Sequence, residues 1–397
     1  MQYSSANICH FHKKASICNK FFRMKNSIAL LLVVLVAMSF TPGPQSQPFQ
    51  APDPANPQAP NVIFMIGDGM GIAQLSSVYF SQDAEPHFNR FPVTGLVKTS
   101  SSSHKITDSA AGATAYSCGE KTYNGAIGVA PDSTTALPTI LETLAGRGYQ
   151  TGLVSTSSIT HATPASYFAH TNLRKNEEEI AEQLVDAPVN FFAGGGREFF
   201  FDRADNRNLL PELEQHYVMD TTQLREAAWD PSKNYGYLLA ADGMPPILEG
   251  RGDFLPRATR YALDYFSQSP TKPFFMMVEG SQIDWGGHAN NGEYLASEAR
   301  DFDAAIGEAL AFAERQGNTI VIVTADHECG GFTLASTEKE VPFMGKQRDY
   351  DDLDYRFSTG GHSAAMVPLL AYGPGTEIFT GIYENTQAYH KLMRLLP

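Results

Sequence analysis

Asn61-Val62-Ile63-Phe64-Met65-Ile66-Gly67-Asp68-Gly69-Met70-Gly71 is a short apolar run that stops at an aspartate bracketed by glycines. A run of this length reads as a buried strand, and the glycines mark a turn just past its carboxyl end. The pattern recurs along the chain. Thr151–Val154, Val189–Phe192, Pro273–Val278, Thr319–Thr324 and Val367–Tyr372 are further strand candidates. Between them lie segments of helical period. Leu137, Ile140, Leu141 and Leu144 stop at Gly146 and Gly148, and Leu295, Phe302, Ile306 and Leu310 end before Gly317. Strand–helix alternation predicts an α/β fold, a largely parallel central sheet with helices on both faces. The charged stretches 202–253 and 335–357 lack clear periodicity and read as surface insertions. One domain over 61–397 is expected.

The chain is 397 residues long with 43% hydrophobic and 18% charged residues, enough apolar material for a large core. No 20–50-residue period repeats, which excludes solenoids and propellers. Lys13, Lys14, Lys20, Arg23 and Lys25 precede the apolar run Ile28–Val36. A basic region before a short apolar stretch is an export-signal pattern, so residues 1–39 are expected to be a cleavable signal region. Cleavage after Ser39 and a start at Met24 both fit. The Pro- and Gln-rich stretch 40–60 reads as a flexible linker. A periplasmic or secreted protein with no membrane span after processing follows. The formal charge is -14, and losing those five basic residues makes it more acidic still. Such a chain is poorly suited to nucleic acid, where basic surface supplies the affinity. Beyond the signal region only Cys118 and Cys329 remain, read as free thiols. No Cys-x-x-Cys pair suggests a thiolate metal site.

Chemistry gathers at the strand ends. Asp68 follows the first strand and His161-Ala162-Thr163 the second. Glu279, Asp284, Trp285 and His288 follow Pro273–Val278, and Asp326-His327 follow Thr319–Thr324. Open α/β sheets bind ligands beyond the carboxyl ends of their strands. Aspartate and histidine are zinc donors, and carboxylate and hydroxyl oxygens suit magnesium. Asp284 and His288 stand four apart, which one helical turn places on one side. Asp326 and His327 can both turn inward if the backbone leaves strand geometry there. His362 precedes the last strand and could close a site. Taken singly, each histidine is more often a core or surface group; the coincidence of four strand ends favours ligands.

Thr107-Asp108-Ser109-Ala110-Ala111-Gly112-Ala113 reads as a helix start. Ser109 there lies at the positive end of a helix dipole, yet an Asp or Ser before an alanine run is most often only a cap. No Gly-x-Ser-x-Gly elbow is present, so a nucleophilic Ser109 would be activated by a metal. On its residues alone, Arg174 is equally a phosphate clamp or a helix-flanking arginine before Glu177-Glu178-Glu179.

Together, Asn61–Gly71, Thr107–Gly119 with Lys121-Thr122-Tyr123-Asn124, His161–Arg174, Glu279–His288, Thr324–Thr333 and Gly360–Ser363 closely resemble the alkaline phosphatase family. The resemblance spans residues 61–384 and is nearest to compact, cold-adapted bacterial members. It implies two zinc ions and one magnesium. Asp284, His288 and His362 would hold the first zinc, Asp68, Asp326 and His327 the second beside Ser109, and Asp68, Thr163 and Glu279 the magnesium. Arg174 would clamp the phosphoryl group, and Ser109 would form a covalent phosphoserine during hydrolysis of phosphate monoesters. His161 and Trp285 stand where enterobacterial members carry Asp and Lys, near the third metal and the phosphate. A homodimer is implied as well.

Relatives of this fold also include sulfatases and phosphodiesterases. The residues after Ser109 lack the x-Pro-x-Arg run of the former. Ser109, Arg174, Thr163 and Glu279 together favour monoesters over diesters. A non-enzymatic exported phosphate- or metal-binding protein is the other alternative.

Overall fold

The computed structural model describes residues 59–226 and 228–397; the expected signal region and most of the linker lie outside them. Fourteen strands are found among the described residues. They are β1 (Asn61–Gly67), β2 (Val93–Lys98), β3 (Gln150–Ser158), β4 (Phe191–Gly195), β5 (Tyr217–Asp220), β6 (Asn234–Leu238) and β7 (Phe274–Gly280). The remainder are β8 (Thr319–Thr324), β9 (Glu328–Cys329), β10 (Thr333–Val341), β11 (Gly345–Arg356), β12 (His362–Ser363), β13 (Val367–Tyr372) and β14 (Gly381–Glu384). Ten form one sheet in the order β14-β2-β13-β8-β1-β7-β3-β4-β6-β5. Its central strands β8, β1, β7 and β3 run parallel. Each is buried along nearly its whole length, so their near-continuous apolar character is what a sheet covered on both faces requires.

The exception in direction is β13, antiparallel to both β8 and β2. Its amino end therefore lies at the edge where the parallel strands have their carboxyl ends. This is why His362, which comes before a strand, joins residues that come after strands.

Each of the six strands expected from sequence is present, β8 and β13 with the expected ends and the other four with ends displaced by a few residues. The strands β2, β5, β6 and β14 were not legible, being short and having only partial apolar character. The segment 202–253, expected as a surface insertion, differs from that reading: β5 and β6 extend the main sheet beyond β4 in parallel. Tyr217, Tyr235, Tyr237 and Leu238 are buried there. Trp229 packs edge-on to Tyr235 at 5.0 Å and to Phe191 at 6.1 Å. Tyrosines with polar tips gave this segment a polar look while their rings fill a core. The segment 335–357 belongs instead to the mostly exposed β10–β11 hairpin.

Helices cover the sheet, the longest being Gly292–Gln316, capped by Asn291 and ended by Gly317 in the left-handed conformation. No helix of the described residues is long and apolar enough to cross a membrane. The helix Ser109–Cys118 is buried at every position. Its small side chains let it approach the strand ends closely: a Cβ on Gly112 would lie 3.0 Å from the Asp326 backbone oxygen.

The loop after β6 is tied down by a buried ion cluster. The Arg251 guanidinium is fully buried; it contacts Glu298 and lies 2.8 Å from Asp301, both on the long helix. The same arginine donates to the Pro245 carbonyl, and Glu298 accepts from the Ile247 amide. Removing one member leaves uncompensated buried charge, so Arg251→Ala is expected to lower unfolding free energy by about 3–5 kcal/mol. The half-exposed Arg207, ion-paired to Glu182, is the control: Arg207→Ala should cost under about 1 kcal/mol in the same urea titrations.

Candidate metal and phosphoryl site

Four carboxylates meet beyond the carboxyl edge of the sheet. Asp68, Glu279 and Asp326 have no exposed surface and Asp284 has 5%. Such groups are stable in the interior only when paired or bound to cations. The hydrogen bonds around them determine which oxygen atoms remain free. Glu279 Oε2 is held by the hydroxyls of Ser155, Ser157 (3.1 Å) and Ser281 (2.7 Å), leaving Oε1 with no hydrogen-bond partner. Asp326 Oδ1 accepts from the amides of Gly69 (3.2 Å) and His327 (3.0 Å), leaving Oδ2 free. Both oxygens of Asp68, Asp284 Oδ1 and Thr163 Oγ1 also lack a hydrogen-bond partner. Burial, then the charges of Asp326, Asp284 and Glu279, push the Asp68 carboxyl well above its ordinary value. Burial likewise raises Glu279. A bound cation reverses this by favouring the ionised form.

The histidines are oriented from behind. His288 Nδ1 donates to the Gly360 carbonyl at 2.8 Å, and His362 Nδ1 donates to the Thr107 carbonyl at 2.9 Å. A carbonyl only accepts, so Nδ1 bears a proton in each ring and Nε2 is the atom each ring turns toward Asp284. These two Nε2 atoms are 3.1 Å apart, and Asp284 lies 3.4 Å from one and 3.5 Å from the other. Donors about 2.0–2.1 Å from one tetrahedral zinc would have separations of about this size. Asp284 and His288 come from the one-turn-plus helix Gln282–His288, as their spacing predicts.

A second cluster adjoins the first. His327 Nε2 lies 3.1 Å from Asp326 Oδ2, 3.4 Å from Asp68 Oδ1 and 3.2 Å from Ser109 Oγ. Asp326 and His327 follow the end of β8, so both can turn inward. Burial opposes a charged His327, but Asp326 and Asp284 raise its pKa. Potential donors of Asp68, Asp284 and His327 lie within 4.8 Å of one another. A third group joins Asp68, Glu279 and His161 by the same measure. His161 thus supplies a candidate third-cluster donor beyond the expected Asp68, Thr163 and Glu279. Burial, then Arg174, pushes the His161 pKa down to about 3, keeping the ring neutral. The orphaned oxygens and inward nitrogens fit divalent cations at all three positions.

The helix cap is Asp108 rather than Ser109. Asp108 Oδ1 accepts from the Ala111 amide, and Oδ2 lies 3.2 Å from the Arg174 guanidinium. This leaves Ser109 at the first helical position with its hydroxyl toward His327. Arg174 also lies 3.1 Å from His161 Nε2. Trp285 packs edge-on to His161 with ring centroids 6.2 Å apart. Its far edge leaves room only for glycine at position 243, where a Cβ would come within 2.5 Å. The loop after β6 therefore walls the third cluster, a contribution the sequence did not reveal. The serine trio behind Glu279 and the pairing of Asp108 with Arg174 were also missed. Ser-rich sequence after Val154 was the one available signal.

The expected residues gather at one edge of the sheet: Ser109 beside His327, the candidate cation clusters sharing Asp68 and Asp284, and Arg174 joined to Asp108 and His161. An α/β sheet carrying this arrangement defines a phosphoryl-transfer type of site. Comparison with known proteins makes the class specific. Residues 59–353 match the model of the alkaline phosphatase family. Alkaline phosphatase 3 of Bacillus subtilis is 33% identical, the alignment covering 85% of this chain and 88% of that protein. The structure of the alkaline phosphatase from the Antarctic bacterium TAB5 is 50% identical, with TM-score 0.80 and coverage of 85% and 98%. A His-to-Asp mutant of that enzyme with Mg bound in its M3 site gives TM-score 0.81 at the same identity and coverage. This chain belongs to the alkaline phosphatase family, whose members are phosphomonoesterases.

Cations held by these buried oxygens would stabilise the folded state, so chelation is expected to lower the thermal midpoint, and zinc with magnesium to restore it. Each site saturated to 100 times its Kd contributes about 2.7 kcal/mol. Scanning calorimetry with and without chelator measures this; an unchanged midpoint would remove cations from the cluster.

Proposed function

We propose that this protein hydrolyses phosphate monoesters in a metal-dependent reaction, with Ser109 as nucleophile and a covalent phosphoserine as intermediate. The observation that carries the reading is the Ser109 hydroxyl, which lies 3.2 Å from His327 Nε2. It lies beside the second donor cluster, and the cap bond is made by Asp108 instead. The first cluster, Asp284, His288 and His362, and the second, Asp68, Asp326 and His327, would each hold zinc. Asp68, Thr163 and Glu279, with His161 near, would hold magnesium or another third ion. When bound, the cations would neutralise the dianionic ester and lower the pKa of coordinated hydroxyl groups.

The chain's own groups then divide the work. Arg174 holds two phosphoryl oxygens through its planar fork, fixed meanwhile by Asp108. Ser109 Oγ attacks phosphorus in line and its proton leaves to solvent. The bond to the leaving oxygen breaks on the opposite side, and that alkoxide takes a proton from solvent to depart as the alcohol. The positive end of the helix Ser109–Cys118 favours the phosphoserine dianion. Water then attacks phosphorus from the vacated side, the serine oxygen leaves, and inorganic phosphate is released. Nothing in this scheme grips the alcohol portion, so broad monoester tolerance follows. Export to the periplasm or medium, through a signal within residues 1–39, fits the basic and apolar order of that segment. A single catalytic domain over 61–397 and a homodimeric assembly complete the reading.

Ser109→Ala should reduce turnover of a simple aryl phosphate at alkaline pH by at least about 10³-fold. Acid quenching of the wild type should trap phosphate on the peptide containing Ser109. Turnover surviving in the variant, or a trapped phosphate elsewhere, would overturn the covalent role. Replacing the third-cluster histidine, His161→Asp, adds a hard oxygen donor and is expected to raise magnesium content at fixed zinc. Elemental analysis of the two proteins, dialysed side by side, reads this directly.

A further inference from the structure

Cys329 was set aside at the level of sequence because it has no partner cysteine nearby. In the fold it is placed by a two-residue antiparallel ladder, in which Cys329 of β9 pairs directly with His362 of β12. Directly opposed residues in such a ladder project to one face. The neighbouring pair, Glu328 and Ser363, is joined through its side chains on its own account. The consequence is that the Cys329 sulfur, a carboxylate oxygen of Asp284 and ring nitrogens of His288 and His362 all lie within 4.8 Å of one another. The thiol is fully buried and in no disulfide. It also faces a glycine of the helix Gln282–His288: a Cβ on Gly287 would stand 3.0 Å from the sulfur. Asp284 Oδ1, in the same group, is buried without a hydrogen-bond partner.

We propose that the Cys329 sulfur is a fourth protein donor to the cation held by Asp284, His288 and His362. This rests on the metal reading given above and extends its first cluster from an Asp-His-His set to Asp-His-His-Cys. On binding, the thiol gives its proton to solvent and a metal–sulfur bond forms; no electron transfer is involved. A sulfur donor biases the site toward zinc, cobalt or cadmium and against magnesium. It also fills the fourth position of a tetrahedral ion, so a reacting group enters as a fifth donor. A buried thiol that merely packs beside three ligands is the alternative, and the two differ in one observable.

Zinc K-edge X-ray absorption on the zinc-loaded wild type is expected to show a sulfur scatterer at about 2.3 Å. The cobalt-loaded protein should carry a near-ultraviolet sulfur-to-cobalt charge-transfer band alongside its visible ligand-field bands. Cys329→Ala and Cys329→Ser should lose the sulfur shell and that band while the visible bands persist. Bound zinc surrounded by nitrogen and oxygen alone in the wild type would overturn the proposal and leave the three-donor cluster standing. Failure of the wild type to bind zinc or cobalt at all would overturn both.

Discussion

Asp68, Glu279, Asp284 and Asp326 are buried side by side, and the ion-pair partners of three of them are histidines rather than lysine or arginine. Taking carboxylates out of water costs several kcal/mol apiece unless something of opposite charge repays it. Four together repel one another as well, which is why burial and mutual charge push Asp68 upward. The rest of the architecture serves to hold this unfavourable cluster in place. Strand ends deliver the acids, three serines grip one oxygen of Glu279, and backbone amides grip one oxygen of Asp326. In each case the second oxygen is left bare. A pocket built this way is incomplete without cations, and the family to which the chain belongs supplies the same expectation.

The nucleophile reading gains its physical basis from a division of labour between neighbours. Asp108 caps the helix and holds Arg174 with its two oxygens, so a single carboxylate sets both the serine's environment and the phosphate clamp. Ser109 is thereby released from capping. The neighbouring His161 and Trp285 couple this region to the third cluster and, through Gly243, to a loop anchored by buried Arg251. Changes in that loop can therefore reach the site without touching a ligand.

Much of the site was legible in the sequence because parallel sheets put function at strand ends, and strand ends are marked by apolar runs stopping at glycine. Asp68, Glu279, Asp326 and His327 were found this way, and Asp284 with His288 by helical spacing. The central strands were legible for the same reason: burial on both faces leaves little choice of side chain. The edge strands β5 and β6 were not, since tyrosine rings fill their core while their hydroxyls disguise the pattern. Cys329 was hidden because a one-dimensional search looks for cysteine pairs, whereas its companions are brought by β12 and a distant helix.

The sequence by itself determined the α/β alternation, the strand-end positions of the acids and histidines, and the motif order that resembles the family. Those properties are local, resting on periodicity and on residue type next to a turn. Only the tertiary structure decided which oxygen of each carboxylate stays bare and that Asp108 is the cap. It also decided that His362 enters from the start of a strand, and that His161 and Cys329 stand among the candidate donors. Each depends on groups far apart in the chain being held a few ångströms apart. The antiparallel insertion of β13 between β8 and β2 shows the reason most simply. Strand direction is a property of the assembled sheet, and no residue within Val367–Tyr372 encodes it alone.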